Sequence, residues 1–179
     1  MRCGGETPPP SARHNSEEND VRALAALGLT IGVLVGAWVY VSGLVDLPPW
    51  VTVIIWAGFF AAGGKFGGVL KMGAASLSGV LWAWLAVTIA GVFGGAAFAL
   101  PVMVAIAAFI MCVQAGWSPL SFIPGTFMGA ACLFGTSIDV KSTVICIVIG
   151  LVLGFISEWS AGLISGAGEE KTADAAAGA

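Results

Sequence analysis

From Met72 to Ile138 the chain carries no Asp, Glu, Lys, Arg or His. A folded surface in water needs charged groups to stay hydrated, so a soluble domain does not carry so long a chargeless stretch. At 1.5 Å of rise per helical residue, a hydrocarbon core of roughly 30 Å takes about 20 residues, and this stretch amounts to about three crossings with their turns. The chain is predicted to be an all-α, polytopic bundle of transmembrane helices. The same silence limits the chemistry. A region whose only ionisable side chains are Cys holds no acid, base or proton relay, so neither ion-coupled pumping nor enzymatic acid–base work is expected there.

The charges that do exist lie mostly at the two ends. Seven fall between Arg2 and Arg22 and four between Glu169 and Asp174, leaving only Asp46, Lys65, Lys71, Asp139, Lys141 and Glu158 in between. The net charge of -3 therefore describes two wet tails and gives no basic surface for nucleic acid. Residues 1–20, with Pro8-Pro9-Pro10 followed by polar residues, bury too little apolar surface to order themselves and are read as a disordered cytoplasmic arm. Residues 21–165 form the transmembrane domain and 166–179 a disordered tail. The run from Ala23 to Val45 is too long for the core of a cleaved signal peptide. Cys112, Cys132 and Cys146 fall on three different apolar spans, where a thiol acts as a small hydrophobe, and with no His or carboxylate beside them neither metal nor cofactor is expected.

Charges and breakers predict six helices, at about 21–45, 48–62, 72–93, 97–114, 119–134 and 141–163, with the second and fifth short for a full crossing of the lipid bilayer. Arg22 before the first span and Lys65 and Lys71 after the second place the N-terminus and that loop in the cytoplasm, and Lys171 then falls inside too. Lys141 votes the other way. At one constant offset Pro49 pairs with Pro119 and Lys71 with Lys141, the pattern of a 3+3 inverted repeat such as many channels and transporters have. Residue identity at that offset is near chance, and two unrelated halves are the standing alternative.

Gly28, Gly32 and Gly36 recur every four residues on the first helix, as Gly150 and Gly154 do on the sixth, so each set lines one face and lets another backbone approach. Packing within one protomer and a subunit interface of a homo-oligomer both fit. Within the fifth span, Ser121, Pro124, Gly125 and Thr126 mark a kink or a break. A break would start a half-helix at membrane depth, with free N–H groups and two hydroxyls for a solute. Trp50, Trp117 and Trp159 lie near span ends, where interfacial indoles belong. Trp82 and Trp84 sit mid-span on nearly opposite faces, and Gln114 and Ser78 are further polar groups able to reach an interior.

Four blocks occur in order: Ser78-Gly79-Val80-Leu81-Trp82-Ala83, Met111-Cys112-Val113-Gln114-Ala115, the run from Ser121 to Ala130, and Gly150-Leu151-Val152-Leu153-Gly154-Phe155. Together they resemble the YcdZ-like family of small bacterial inner-membrane proteins, a family of unknown function. The resemblance spans about Trp56 to Phe155. It implies an inner-membrane location and a shared architecture, and it brings no substrate or catalytic residue. The residues themselves point to an uncoupled channel or facilitator for a small neutral or weakly charged solute, with Gln114, Ser121, Pro124, Gly125, Thr126, Trp82 and Ser78 as lining candidates. The alternative is a non-transporting scaffold or partner subunit.

Overall fold

The computed structural model describes residues 10–94 and 96–177. Among them the regular structure is entirely helical: α1 (Pro10–Leu44), α2 (Pro49–Ala61), α3 (Lys65–Val92), α4 (Ala99–Val113), α5 (Ile123–Gly135) and α6 (Val140–Ala177). Single 3₁₀ turns at Gln114–Gly116 and Ser118–Leu120 join α4 to α5. The six predicted helices are present. Leu24–Leu44, Lys65–Val92, Ala99–Gly116 and Val140–Leu163 are long and apolar enough to cross a bilayer. The 13 residues each of α2 and α5 reach only about 20 Å, short of a core of roughly 30 Å.

Several boundaries differ from the predicted ones, each for a local reason. Residues 10–20 of the expected arm already belong to α1, and residues 166–177 of the expected tail belong to α6. A proline opening a helix loses no hydrogen bond, and Glu, Arg, Lys and Ala on either side are good helix formers. The rest of both tails lies outside the described residues. Helix α3 starts at Lys65, well ahead of the expected Met72, because the left-handed turn is complete within Gly63 (φ 102°), Gly64 (φ 63°) and Lys65 itself (φ 53°). Gly67 and Gly68 continue into the helix, where a Cβ on Gly68 would sit 3.0 Å from the Phe59 carbonyl oxygen.

The fifth span breaks rather than kinks. Its first part is the pair of 3₁₀ turns, and α5 begins at Ile123 with Pro124 in its first turn, where the missing N–H is one the helix would leave unbonded anyway.

The chain divides into two compact units. In the unit Leu34–Ile156, the core is made by Val51, Ile55 and Phe59 of α2, Met72 of α3, Leu133 of α5 and Ile147 of α6, all fully buried. Helices α2 and α5 run antiparallel: the Trp50 indole lies over Gly135, and Met128 Sδ is 3.1 Å from where a Cβ on Gly58 would be. In the other unit, up to Val33 and from Ser157 onward, Thr30 Oγ1 donates to the Leu27 carbonyl at 2.9 Å and approaches the Ser157 carbonyl at 3.4 Å.

The order of lengths is long, short, long in each half, but the register between the halves is not the predicted one. Helix α5 matches α2 end for end, Ile123 corresponding to Pro49 and Gly135 to Ala61, and the start of α6 at Val140 falls in nearly the same register as the start of α3 at Lys65. Pro119 is therefore not the counterpart of Pro49, because it sits in a 3₁₀ turn about one helical turn ahead of α5. This register pairs Thr52 with Thr126, both completely buried. Each turns its carbonyl onto a glycine of the opposite half's long helix, Thr126 onto Gly79 of α3 and Thr52 onto Gly150 of α6.

Candidate functional site

Three of the seven lining candidates come together. Ser78 and Trp82 stand one turn apart on the same face of α3, about two and three turns beyond Lys71. Gln114 is the residue after the last of α4 and reaches both. The Trp82 indole N–H donates to Gln114 Oε1 at 2.8 Å, Gln114 Nε2 donates to Ser78 Oγ at 2.9 Å, and Ser78 Oγ donates to the Ala75 carbonyl at 2.9 Å. An indole N–H only donates, so the first bond also settles which end of the amide is oxygen. All three side chains are half-buried, whereas Trp84, on the other face, is exposed. In a low-dielectric surrounding such a relay orients its members firmly, because each unmade bond costs more there than in water. Its chemistry is neutral hydrogen bonding.

The Ser121–Thr126 segment does not join this group. Ser121 and Pro124 are exposed, and Gly125 is buried against Phe122, Met72 and Ala75. Nor does the start of α5 offer free donors as expected of a break. Ile123 N bonds the Ser121 carbonyl at 3.1 Å, Gly125 N and Thr126 N bond the Phe122 carbonyl at 3.0 and 3.4 Å, and Pro124 has no N–H. The local 3₁₀-like bonds consume what a solute would otherwise use. Thr126 Oγ1 is completely buried and has no hydrogen-bond partner among the described residues.

The two glycine sets have different surroundings. A Cβ on Gly150 would lie 2.7 Å from the Thr52 carbonyl oxygen, and one on Gly154 would lie 2.8 Å from the Phe59 ring, so both serve the packing of α6 on α2. A Cβ on Gly28, Gly32 or Gly36 would meet no atom of another helix within 4 Å among the described residues. Close packing also uses glycines outside these two sets: Gly79 under the Thr126 carbonyl, Gly129 under the Ser76 carbonyl, and Gly58 under Met72. Thr52, whose Oγ1 donates to the Cys146 carbonyl at 3.3 Å, also escaped the sequence reading. Only the register between the two short helices, invisible before the helix starts are known, singles it out.

Three cavities among the described residues are apolar. One of about 190 Å³ lies between α3, α4 and α5, lined by Ala83, Ala86, Ala107, Met111, Phe127 and Ala130 among others. Another of about 320 Å³ lies between Phe66 and Val69 of α3 and Val148, Leu151, Val152 and Phe155 of α6. A third, about 80 Å³, touches Trp82 and runs between α3 and α4 past Leu85, Met103, Ala107 and Ile110. Of these, only the last adjoins the polar relay.

Comparison with known proteins supports the resemblance seen in the four blocks. A family model described as "Protein of unknown function (DUF1097)" matches residues 28–162. The chain is 32% identical over 151 residues to the inner membrane protein YcdZ of Escherichia coli strain K12, an alignment covering 84% of this chain and 92% of that protein. It is 29% identical over 154 residues to the inner membrane protein YcdZ of Salmonella typhimurium, covering 86% and 96%. It is 32% identical over 151 residues to the uncharacterized protein YahC of Escherichia coli strain K12, covering 78% and 91%. No solved structure matches the chain.

Proposed function

The chain belongs to the DUF1097 family of proteins of unknown function, and from that premise we propose that it is an uncoupled channel or facilitator for a small neutral or weakly charged solute. The relatives named inner membrane proteins support the bacterial inner membrane as its location. The observation that carries the reading is the Ser78–Gln114–Trp82 relay, a set of hydrogen-bonding groups held in place inside the chargeless stretch from Met72 to Ile138. Apolar helices that only anchor a protein have no use for an oriented amide, which must be desolvated to sit there. Coupled transport ordinarily uses a membrane-embedded acid or base, and this stretch holds none. The two half-length helices α2 and α5, in the same register at both ends, agree with a transport plan of inverted halves. Both termini are cytoplasmic in this reading, the assembly is a homo-oligomer, and no catalytic step is involved.

Solute flux into proteoliposomes tests it, with a panel of glycerol, urea, acetamide, ammonia and short carboxylic acids. At least one solute enters faster than into protein-free vesicles. A whole panel at the protein-free rate rejects the channel.

One observation favours a second reading, a non-transporting scaffold. A Cβ on Gly28, Gly32 or Gly36 would meet nothing within 4 Å among the described residues, which leaves room there for the close approach of a docking helix. Under that reading Gly32→Leu abolishes a specific complex in native membranes, and Gln114→Met leaves that complex intact.

A further inference from the structure

We propose that the Gln114 amide is the selecting group of the solute path and that the solutes it selects are small carboxamides and ureas; this rests on the channel reading above. The relay leaves Gln114 with a defined remainder. A primary amide has two N–H donors and two acceptor lone pairs on oxygen. Trp82 occupies one lone pair, and Ser78 takes one N–H. One donor and one acceptor are left on a half-buried side chain, and neither has a further partner among the described residues.

Ser78 does not compete for them, because its proton is committed to the Ala75 carbonyl. Rotation of the amide is also blocked, since swapping its ends would aim an N–H at the indole N–H. What answers such a remainder is a neutral solute that carries both an N–H donor and a carbonyl acceptor, as a carboxamide or urea does. Ions fit poorly, because nothing at the relay replaces their hydration shell with opposite charge. A polyol offers hydroxyls, but it must give up torsional freedom to fix a donor and an acceptor at the amide. A cavity of about 80 Å³, walled by Leu85, Ile89, Met103 and Ile110, reaches the relay at the Trp82 ring and does not include Gln114.

The test is stopped-flow swelling of proteoliposomes with urea, acetamide and glycerol, using the full-length chain, Gln114→Met and Trp82→Phe. In the wild type the two amides enter faster than glycerol. Gln114→Met, which keeps the length and removes both bonding groups, lowers the amide-to-glycerol ratio roughly tenfold, the scale of one or two neutral hydrogen bonds. Trp82→Phe frees the amide to rotate and lowers the ratio less. Amides and glycerol entering equally in the wild type, or an unchanged ratio in Gln114→Met, overturns the amide inference and leaves the channel standing. No solute above the protein-free rate removes the channel and this inference with it. If Gln114→Met fails to give a monodisperse protein, Trp82→Phe alone decides, an unchanged ratio counting against the proposal.

Discussion

The Thr126 carbonyl rests directly on the Cα of Gly79, so that a methyl group at Gly79 would overlap the carbonyl oxygen and crowd Ala130 N at 3.0 Å. Both sides of this contact are backbone, and neither has a flexible end to swing away. Gly129 meets the Ser76 carbonyl in the same manner, which fixes the crossing of α5 on α3 at two points.

Gly79→Ala is therefore expected to cost about 1–3 kcal/mol or more, read as a lowered Tm in detergent by circular dichroism. Gly67→Ala is the control. Gly67 also lies in α3 but has nothing among the described residues within 4 Å, so there alanine stabilises by about 0.5–1 kcal/mol through helix propensity. Equal effects at the two positions would contradict the packing described.

Thr52 and Thr126 occupy matching positions in the two short helices but differ in one bond. Thr52 Oγ1 reaches the Cys146 carbonyl, while Thr126 Oγ1 is buried without a partner among the described residues. Valine keeps the shape and deletes the hydroxyl. Thr52→Val then loses about 0.5–1 kcal/mol, whereas Thr126→Val is neutral or gains a similar amount because a buried unpaired hydroxyl is removed. Urea-free thermal unfolding of the two variants in one detergent gives the signs directly.

These two pairs also mark where reading the chain alone stops. Six helices were legible because charge and Gly or Pro clusters are local signals. Helix starts were less so: a cluster such as Gly63 to Gly68 does not say which glycines carry the positive φ, and only Gly63 and Gly64 do. Pro124 has the same ambiguity, since a proline that kinks a helix interior and one that opens a helix look alike in sequence. Ser78, Trp82 and Gln114 could each be named as polar groups in apolar surroundings. Their meeting could not, because it depends on α4 ending beside the middle of α3, 32 to 36 residues away along the chain. The regular stripe Gly28-Gly32-Gly36 stands out by its period, yet a Cβ there would meet nothing among the described residues, whereas Gly79, packed under the Thr126 carbonyl, has no glycine three or four residues away to mark it.

The Trp82–Gln114 bond is measurable apart from any transport. A double-mutant cycle of Trp82→Phe and Gln114→Met, followed by thermal unfolding, gives a coupling energy of about 1 kcal/mol, the net worth of one neutral hydrogen bond. Additive losses would mean that the indole and the amide do not hold each other.

Asp139 sets the start of α6 through its carboxylate and supplies a dependence on pH. Ser142 Oγ donates to Asp139 Oδ2 at 2.6 Å and Ser142 N to Oδ1 at 3.1 Å, which places Asp139 as the capping residue just ahead of Val140. Chiefly the Ser142 hydroxyl, then its backbone N–H, hold the carboxyl below its ordinary value of 3.8, with the charge of Lys141 adding to them. A carboxyl whose pKa is lower in the folded state stabilises the fold above its unfolded pKa, and that contribution disappears as the pH falls through the folded value. Asp139→Asn keeps an acceptor for the backbone N–H but does not titrate. The Tm of the wild type should therefore exceed that of Asp139→Asn by a constant margin between about pH 6 and pH 8, and the margin should close below about pH 4. A margin that widens toward acid would reverse the sign of the linkage and refute the cap.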